Sequence, residues 1–146
     1  MALAPSRRSF LAPFLALALP AAGCASMSGG ESGVFRAELG RAPTAQTLGG
    51  ISIEVLRLYG YEIELADADL VQTGWRYLPY GVRDRIAVTI RPRGNDIYNG
   101  SLRVVVEEQD DGGTWRAADP SAELTDQYAD LRRETRRRLQ RFMTQN

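Results

Sequence analysis

Two segments in the middle of the chain, 84–91 and 101–108, alternate between apolar and polar residues. Successive strand positions point to opposite sides of a sheet, so each segment would have one apolar and one polar face. The apolar positions are Ile86, Val88, Ile90, Leu102, Val104 and Val106, and the polar ones include Arg85, Arg91, Arg103 and Glu107. The pattern predicts an antiparallel sheet with one face in the core and the other in water.

Shorter segments extend this pattern. Strand-forming residues and turn residues alternate along the chain, which predicts further strands at 34–39, 61–65 and 70–78 and a short one around Trp115. Glycine, proline and short polar residues predict turns at 79–81, at 93–95 through 99–100, and at 110–113.

The segment 44–59 has two interpretations. Thr44 could cap a helix that ends at Gly60 and places Leu48, Ile51, Val55 and Leu58 on one face. Against this, two glycines at 49 and 50 would each cost about 1 kcal/mol in a helix, and 51–55 also alternates like a strand. We favour the helix because the alternation at 61–65 begins directly after Gly60.

A second helix is predicted near the C-terminus. Asp119 and Pro120 are typical of an N-cap followed by the first helical position, and the helix would run to about Phe142. One apolar stripe would pack on the sheet, made of Leu124, Tyr128, Leu131, Thr135, Leu139 and Phe142. We therefore expect an α+β fold: an antiparallel sheet of about four strands with helices packed on one face and a long C-terminal helix.

The first 24 residues have the composition of an export signal. Two arginines precede an apolar run of about 13 residues, which is too short to span a bilayer. Residues 6–11 resemble the twin-arginine translocation motif, which a receptor reads as an address. Ordinary secretory signals also contain arginines, so both export routes stay open. The resemblance implies that the recognition residues are Arg7, Arg8, Phe10 and Leu11.

Residues 21–24 resemble the lipobox of bacterial lipoproteins, although Ala21 replaces the usual leucine. The resemblance implies cleavage after Gly23 and acylation of Cys24, which is the only cysteine in the chain. The alternative is an ordinary cleavage site with an incidental cysteine. Acylated Cys24 would anchor the chain in membrane lipid. Because Ala25 replaces the aspartate that favours inner-membrane retention, the resemblance implies the periplasmic face of the outer membrane.

Removal of 1–23 would leave about 123 residues, enough for one domain with its own core. We expect a lipidated, flexible tether at 24–33 and a single domain at 34–146. The removed part contains two of the 18 basic residues and none of the 18 acidic ones, which leaves a net charge of about −2. The mature chain would have no excess of basic residues, so its composition does not indicate a nucleic-acid partner.

The predicted order of helix, strands and long helix covers roughly 44–142. With the glycine-tyrosine step at 60–61 and the segment 71–75 on a strand, it resembles the helix-grip domains of BamC-type outer-membrane assembly lipoproteins. That resemblance implies a scaffold or accessory role and carries over no catalytic residues.

The mature chain would contain no histidine, lysine or free cysteine, which removes catalytic triads, Schiff bases and the usual zinc sites. The remaining acid pairs lie in turns or at strand ends, where solvated acids are common: Asp67 with Asp69, Glu107 with Glu108, and Asp110 with Asp111. The last pair lacks the ligand spacing of an EF-hand calcium loop. We expect no enzymatic activity, no metal and no cofactor. An acid/base hydrolase that uses Glu107 and Glu108 stays a third alternative, after the two binding hypotheses.

Two binding hypotheses remain. The first is a non-enzymatic envelope lipoprotein that docks an unknown envelope protein through the open face of its sheet or through arginines of the last helix. These arginines, which could also contact lipid headgroups, are Arg132, Arg133, Arg136 and Arg137. Those arginines could equally form a solvated face balanced by acids. The second is a small carrier or sensor that binds an apolar ligand between sheet and helix. Its groove would use Trp75, Tyr77 and Trp115, although aromatic residues on strands are more often core residues.

Overall fold

The computed structural model describes residues 32–145. In chain order the elements are β1 (Val34–Ala42), α1 (Ala45–Leu58), β2 (Ile63–Ala66), β3 (Leu70–Thr73), β4 (Arg76–Leu78), β5 (Val82–Gly94), β6 (Ile97–Gln109), β7 (Trp115–Ala117) and α2 (Ala122–Gln145). They form an α+β structure with an antiparallel sheet and a long C-terminal helix, as the sequence predicts.

The sheet has seven strands, so the expectation of about four is wrong. The main order is β1-β6-β5-β3-β2, with β4 pairing with β5 and β7 pairing with β6. The single strand expected at 70–78 is interrupted at Gly74 and Trp75, and its two halves, β3 and β4, pair separately with β5. β5 and β6 are each 13 residues long and pair with each other along one edge. Along its other edge each strand has room for two partners, β3 and β4 on β5, and β1 and β7 on β6.

The hairpin between β5 and β6 is tighter than predicted. The strands pair as far as Gly94 and Ile97, so residues expected in a long turn belong to the sheet. Only Asn95 and Asp96 connect them, with φ values of 51° and 55°. Two successive positive φ angles match the twist of paired strands, and Asn and Asp tolerate them better than other side chains.

The segment 44–59 is the helix α1, as favoured from the sequence. The Thr44 side chain accepts a hydrogen bond from the Thr47 N–H and caps its first turn. The helix approaches the sheet closely: a Cβ atom on Gly49 would lie 3.4 Å from Ile90, and one on Gly100 would lie 2.7 Å from Leu48. Glycine at these two positions therefore lets α1 pack against β5 and β6.

The helix α2 begins at Ala122, so the predicted start at Pro120 is wrong. The Ser121 hydroxyl accepts a hydrogen bond from the Leu124 N–H at 3.2 Å and caps the helix instead. Asp119 accepts a hydrogen bond from the Gly33 N–H at 3.2 Å, which ties it to the chain just before β1. The predicted stripe is confirmed, because Tyr128, Leu131, Thr135 and Leu139 are all buried, with Leu124 and Phe142 partly buried at its ends.

Both helices cover the same face of the sheet, and the core lies between them and the strands. The central strands contribute Ile86, Val88, Ile90, Leu102, Val104 and Val106, all buried as predicted. The intervening residues point to the opposite face, which we call the open face because no helix of residues 32–145 lies on it.

Candidate functional site

Several predicted functional residues lie outside the part of the chain that the structure describes. They are the signal and lipidation residues Arg7, Arg8, Phe10, Leu11, Gly23 and Cys24. Their roles stay predictions. Within residues 32–145, no helix is both long and apolar enough to cross a membrane.

The predicted groove residues Trp75, Tyr77 and Trp115 come together, but on the open face and away from the helices. The Arg83 guanidinium lies 4.1 Å from the centre of the Trp75 ring and 4.2 Å from that of Trp115. Tyr77 meets Trp115 edge to face, with ring centres 6.0 Å apart. Arg85 lies over the same Trp75 ring at 4.6 Å. We call these five residues the aromatic–arginine cluster.

The pairing of the strands explains this assembly. Arg83 lies opposite Tyr77 on β4 and opposite Glu107 on β6, so the three side chains share one face. Nε and Nη2 of Arg83 donate to Oε2 of Glu107 at 2.7 and 2.5 Å. This ion pair fixes the guanidinium between the rings, where cation–π contacts add to the attraction.

Tyr80 extends the exposed aromatic surface at the turn between β4 and β5. Its φ is +65°, a left-handed conformation that is rare for a bulky side chain. Its ring is 97% exposed, and that of Tyr77 is 67% exposed. Tyr80 and most of Tyr77 are therefore accessible for contact with a partner.

The open face is strongly basic. Register and alternation place six arginines of β1, β5 and β6 on it, namely Arg36, Arg41, Arg83, Arg85, Arg91 and Arg103. The acids on the same three strands of this face are Glu38 and Glu107. A surface of this kind attracts an acidic partner.

A second ion pair lies directly behind the cluster, on the helix side of the sheet. Asp84 is completely buried and accepts hydrogen bonds from Arg76 at 3.0 and 2.6 Å. The hydroxyls of Tyr61 and Tyr128 each donate to its Oδ2 at 2.8 Å. We call these four residues the Asp84 network.

The electrostatics of this network are those of a closed site. Burial, and then the charge of Asp84, raise the pKa values of Tyr61 and Tyr128 well above the usual range, so both stay neutral donors. Burial is the largest influence on Arg76 and opposes its charge, but the hydrogen bond to Asp84 and the interactions with Tyr61, Asp84 and Tyr128 together outweigh burial and raise the pKa of Arg76. Every buried side-chain polar atom in the described part of the chain has a partner, so the network presents no free group for chemistry.

The four predicted contact residues on α2 differ in their surroundings. Arg133 and Arg137 form ion pairs with Asp130 and Glu134 of the same helix. Nε of Arg132 donates to the Glu38 backbone carbonyl at 3.0 Å, which ties α2 to β1. Among residues 32–145, Arg136 makes no ion pair or hydrogen bond. The interpretation of these arginines as a solvated face balanced by acids therefore fits Arg133 and Arg137.

The acid pairs are arranged as structural groups. Glu107 and Glu108 are neighbours on one strand and point to opposite faces. The Asp110 carboxylate accepts from the Arg116 side chain and from the N–H groups of Thr114 and Gly112, which lowers its pKa and fixes the turn before β7. Asp67 and Asp69 flank the exposed turn between β2 and β3. No group of metal-ligating side chains occurs among the described residues.

Sequence reasoning did not identify Arg83 as the centre of the cluster. The alternation places Arg83 on the polar face, but only the pairing of β4 with β5 brings Trp75 and Tyr77 beside it. No protein-family model matches this chain, and no curated protein sequence matches it. The likeness to BamC-type domains therefore stays a prediction.

Proposed function

We propose that this protein is a non-enzymatic adaptor of the bacterial cell envelope that docks an acidic partner protein on the open face of its sheet. The aromatic–arginine cluster is the observation that carries the proposal. Trp, Tyr and Arg are the residues that dominate binding energy at protein interfaces. Here they form one surface beside an exposed Tyr80 in a costly backbone conformation.

The partner is an acidic protein because the face is basic. Arg83 already has a carboxylate, Glu107. Arg85 lies over the Trp75 ring, makes no ion pair with residues 32–145, and can bind a carboxylate of the partner. A carboxylate docked there would form a charge-assisted hydrogen bond while the neighbouring rings exclude water. This arrangement supports an adaptor in which the aromatic–arginine cluster contributes most of the binding energy for the partner.

The position of the cluster also supports a membrane-proximal role. The Val106 N–H donates to the Gly33 carbonyl at 2.8 Å, which brings the start of β1 next to the strands that hold the cluster. If Cys24 is acylated as we propose, the short tether joins the domain at the start of β1, beside the cluster. The partner would then be held near the outer membrane.

Site-specific photo-crosslinking in the full-length protein tests the docking surface. A benzophenone amino acid at Tyr77 should crosslink to one protein, whereas the same probe at Leu58, which is 65% exposed on α1, should not. Arg85→Glu should suppress the Tyr77 crosslink by about tenfold because it repels an acidic partner. Identical crosslinks from both positions, or no effect of Arg85→Glu, would reject the proposal.

Membrane anchoring is tested separately through Cys24→Ser. Loss of the acyl chains should move the protein from the membrane fraction to the soluble fraction. Retention of the variant in the membrane would reject lipid anchoring through this residue.

The export route is tested by a second variant. Lysine at both Arg7 and Arg8 should abolish export if the twin-arginine route is used, and unchanged export would assign the general route.

A further inference from the structure

A groove of about 610 Å³ lies between the C-terminal half of α2 and the edge strand β1. Its position is remote from the aromatic–arginine cluster. Asn99 lines the groove, and it is eight residues from Glu107 of the cluster's ion pair along β6, or about 26 Å at the usual rise of a strand. The two sites therefore lie at different ends of the same strands and share no residue.

The groove exists because β1 is irregular at this point. The register between β1 and β6 shifts between Glu38 and Gly40, and Gly40 has a φ of +133°, which residues other than glycine rarely adopt. A Cβ atom on Gly40 would lie 3.4 Å from Leu139 and 3.8 Å from the Arg136 Cγ. The absent side chain leaves space between the strand and α2.

Three arginines from separate elements line this space: Arg41 from β1, Arg93 from the end of β5, and Arg136 from α2. None of them makes an ion pair or hydrogen bond with the residues that the structure describes. On α2, by contrast, Arg133 and Arg137 are paired with acids on the same helix. The groove therefore concentrates positive charge that the surrounding fold does not neutralise.

The one acid that lines the groove does not cancel this charge. Both carboxylate oxygens of Glu38 accept hydrogen bonds, one from Asn99 at 2.5 Å and one from Ser101 at 3.1 Å. These contacts hold Glu38 against β6. Three arginines and one carboxylate leave the groove with a net positive charge, which attracts an anion.

The rest of the lining indicates the shape of the ligand. Leu139 is only 2% exposed and forms the apolar base of the groove. Met143 is 53% exposed and lies at its rim. Guanidinium groups bind phosphate through paired hydrogen bonds, and a methionine side chain adapts to varied apolar surfaces. We propose that this arginine groove binds a phosphate group whose carrier extends over Met143. The phosphate could belong to an anionic phospholipid headgroup or to a soluble phosphate.

Calorimetric titration of the full chain in neutral detergent micelles tests this site. The probes are inorganic phosphate, short-chain phosphatidylglycerol and, as a zwitterionic control, short-chain phosphatidylcholine. Alanine at Arg41, Arg93 and Arg136 together should weaken binding of the preferred anion by at least about tenfold, since each arginine near an anionic headgroup contributes roughly a fivefold effect. Arg57→Ala, an exposed arginine on α1, is the matched control and should change binding less than twofold.

The two phosphate sources give different results. Saturable binding of phosphatidylglycerol without binding of inorganic phosphate assigns a lipid headgroup, and saturable binding of inorganic phosphate assigns a soluble ligand. Absence of binding by every probe overturns the proposal, as does a triple variant that loses less than tenfold in affinity. The result is independent of the adaptor proposal, because the crosslinking experiment probes residues outside this groove.

Discussion

Arg83 and Asp84 are adjacent on β5, yet they belong to two contrasting sites. Each forms an arginine–carboxylate pair, Arg83 with Glu107 on the open face and Asp84 with Arg76 under the helices. In each pair the guanidinium also lies about 4 Å from an aromatic ring. The chemistry of the two pairs is therefore nearly the same, and their surroundings make the difference.

The helices complete the buried site. Asp84 also accepts hydrogen bonds from Tyr61, just after α1, and from Tyr128 on α2, so one carboxylate ties both helices to the sheet. Arg76 reaches the Tyr59 carbonyl at 3.0 Å and the Gln127 side chain at 2.9 Å. In the described part of the chain no helix covers Arg83, and its aromatic neighbours are partly exposed. A satisfied polar network stabilises the fold, whereas a comparable but uncovered cluster can bind a partner.

The largest expected effect comes from removing the buried carboxylate. Asp84→Ala would leave Arg76 without a counter-charge and two buried tyrosine hydroxyls without an acceptor. Breaking a buried pair in this way should lower the free energy of unfolding by about 3–5 kcal/mol in urea denaturation. Glu107→Ala on the open face is the matched control and should cost about 1 kcal/mol or less. Equal losses in the two variants would show that the sites are energetically alike.

Alkaline pH should destabilise the fold through the same buried network. In the unfolded chain Tyr61 and Tyr128 would ionise with a pKa near 10, while burial and the charge of Asp84 raise their pKa values in the folded chain. The folded state then binds more protons, so stability is full below about pH 10 and falls as the pH rises.

The expected slope is about 1.4 kcal/mol per pH unit for each tyrosine once the pH exceeds 10. Phenylalanine at Tyr128 should remove one of the two contributions, measured by urea denaturation between about pH 9 and 11. Tyr77→Phe, at an exposed position, is the control and should leave the slope unchanged. A wild-type stability that stays constant over this range would contradict the assignment of Tyr61 and Tyr128 to a buried, neutral state.

Most of the fold could be predicted from local sequence patterns. The alternation at 84–91 and 101–108 and the stripe on α2 each depend on residues that lie within one element. The strand count could not be predicted in this way, because whether 70–78 forms one strand or two is decided by its pairing with β5. The start of α2 was missed for a similar reason: Asp119 looks like a cap, but its side chain binds Gly33, which is distant in sequence.

The candidate sites were less predictable than the fold. Trp75, Tyr77 and Trp115 were selected as aromatic residues, but nothing local to them indicates the open face, which follows from the register with Arg83. Arg136 was selected together with three other arginines of α2. Only the bulge at Gly40 and the neighbouring Arg41 and Arg93 distinguish it from them. Which residues come together at a site is decided by pairing between strands that are distant in sequence, so no single segment predicts it.

Arg83→Met should separate binding from stability. Methionine keeps the apolar contact with the two indole rings but removes the charge and the ion pair with Glu107. Because this pair is partly exposed, the loss in unfolding free energy should be about 1 kcal/mol. Crosslinking from Tyr77 should nevertheless fall strongly, because the rings lose the group that orders them. A variant that keeps its crosslink would remove Arg83 from the docking surface.

The smallest expected change in stability has the opposite sign and is expected at Tyr80. Its φ of +65° is unfavourable for an aromatic residue, whereas asparagine tolerates this conformation. Tyr80→Asn should therefore raise the free energy of unfolding by about 0.5 kcal/mol while weakening partner crosslinking from Tyr77. Tyr77→Asn, also at an exposed tyrosine but in an ordinary strand, is the control for stability and should give no gain in the free energy of unfolding. If Tyr80→Asn stabilises the protein and leaves binding intact, the Tyr80 ring has no part in docking. If both change as expected, the chain keeps an unfavourable residue there because the open face needs its ring.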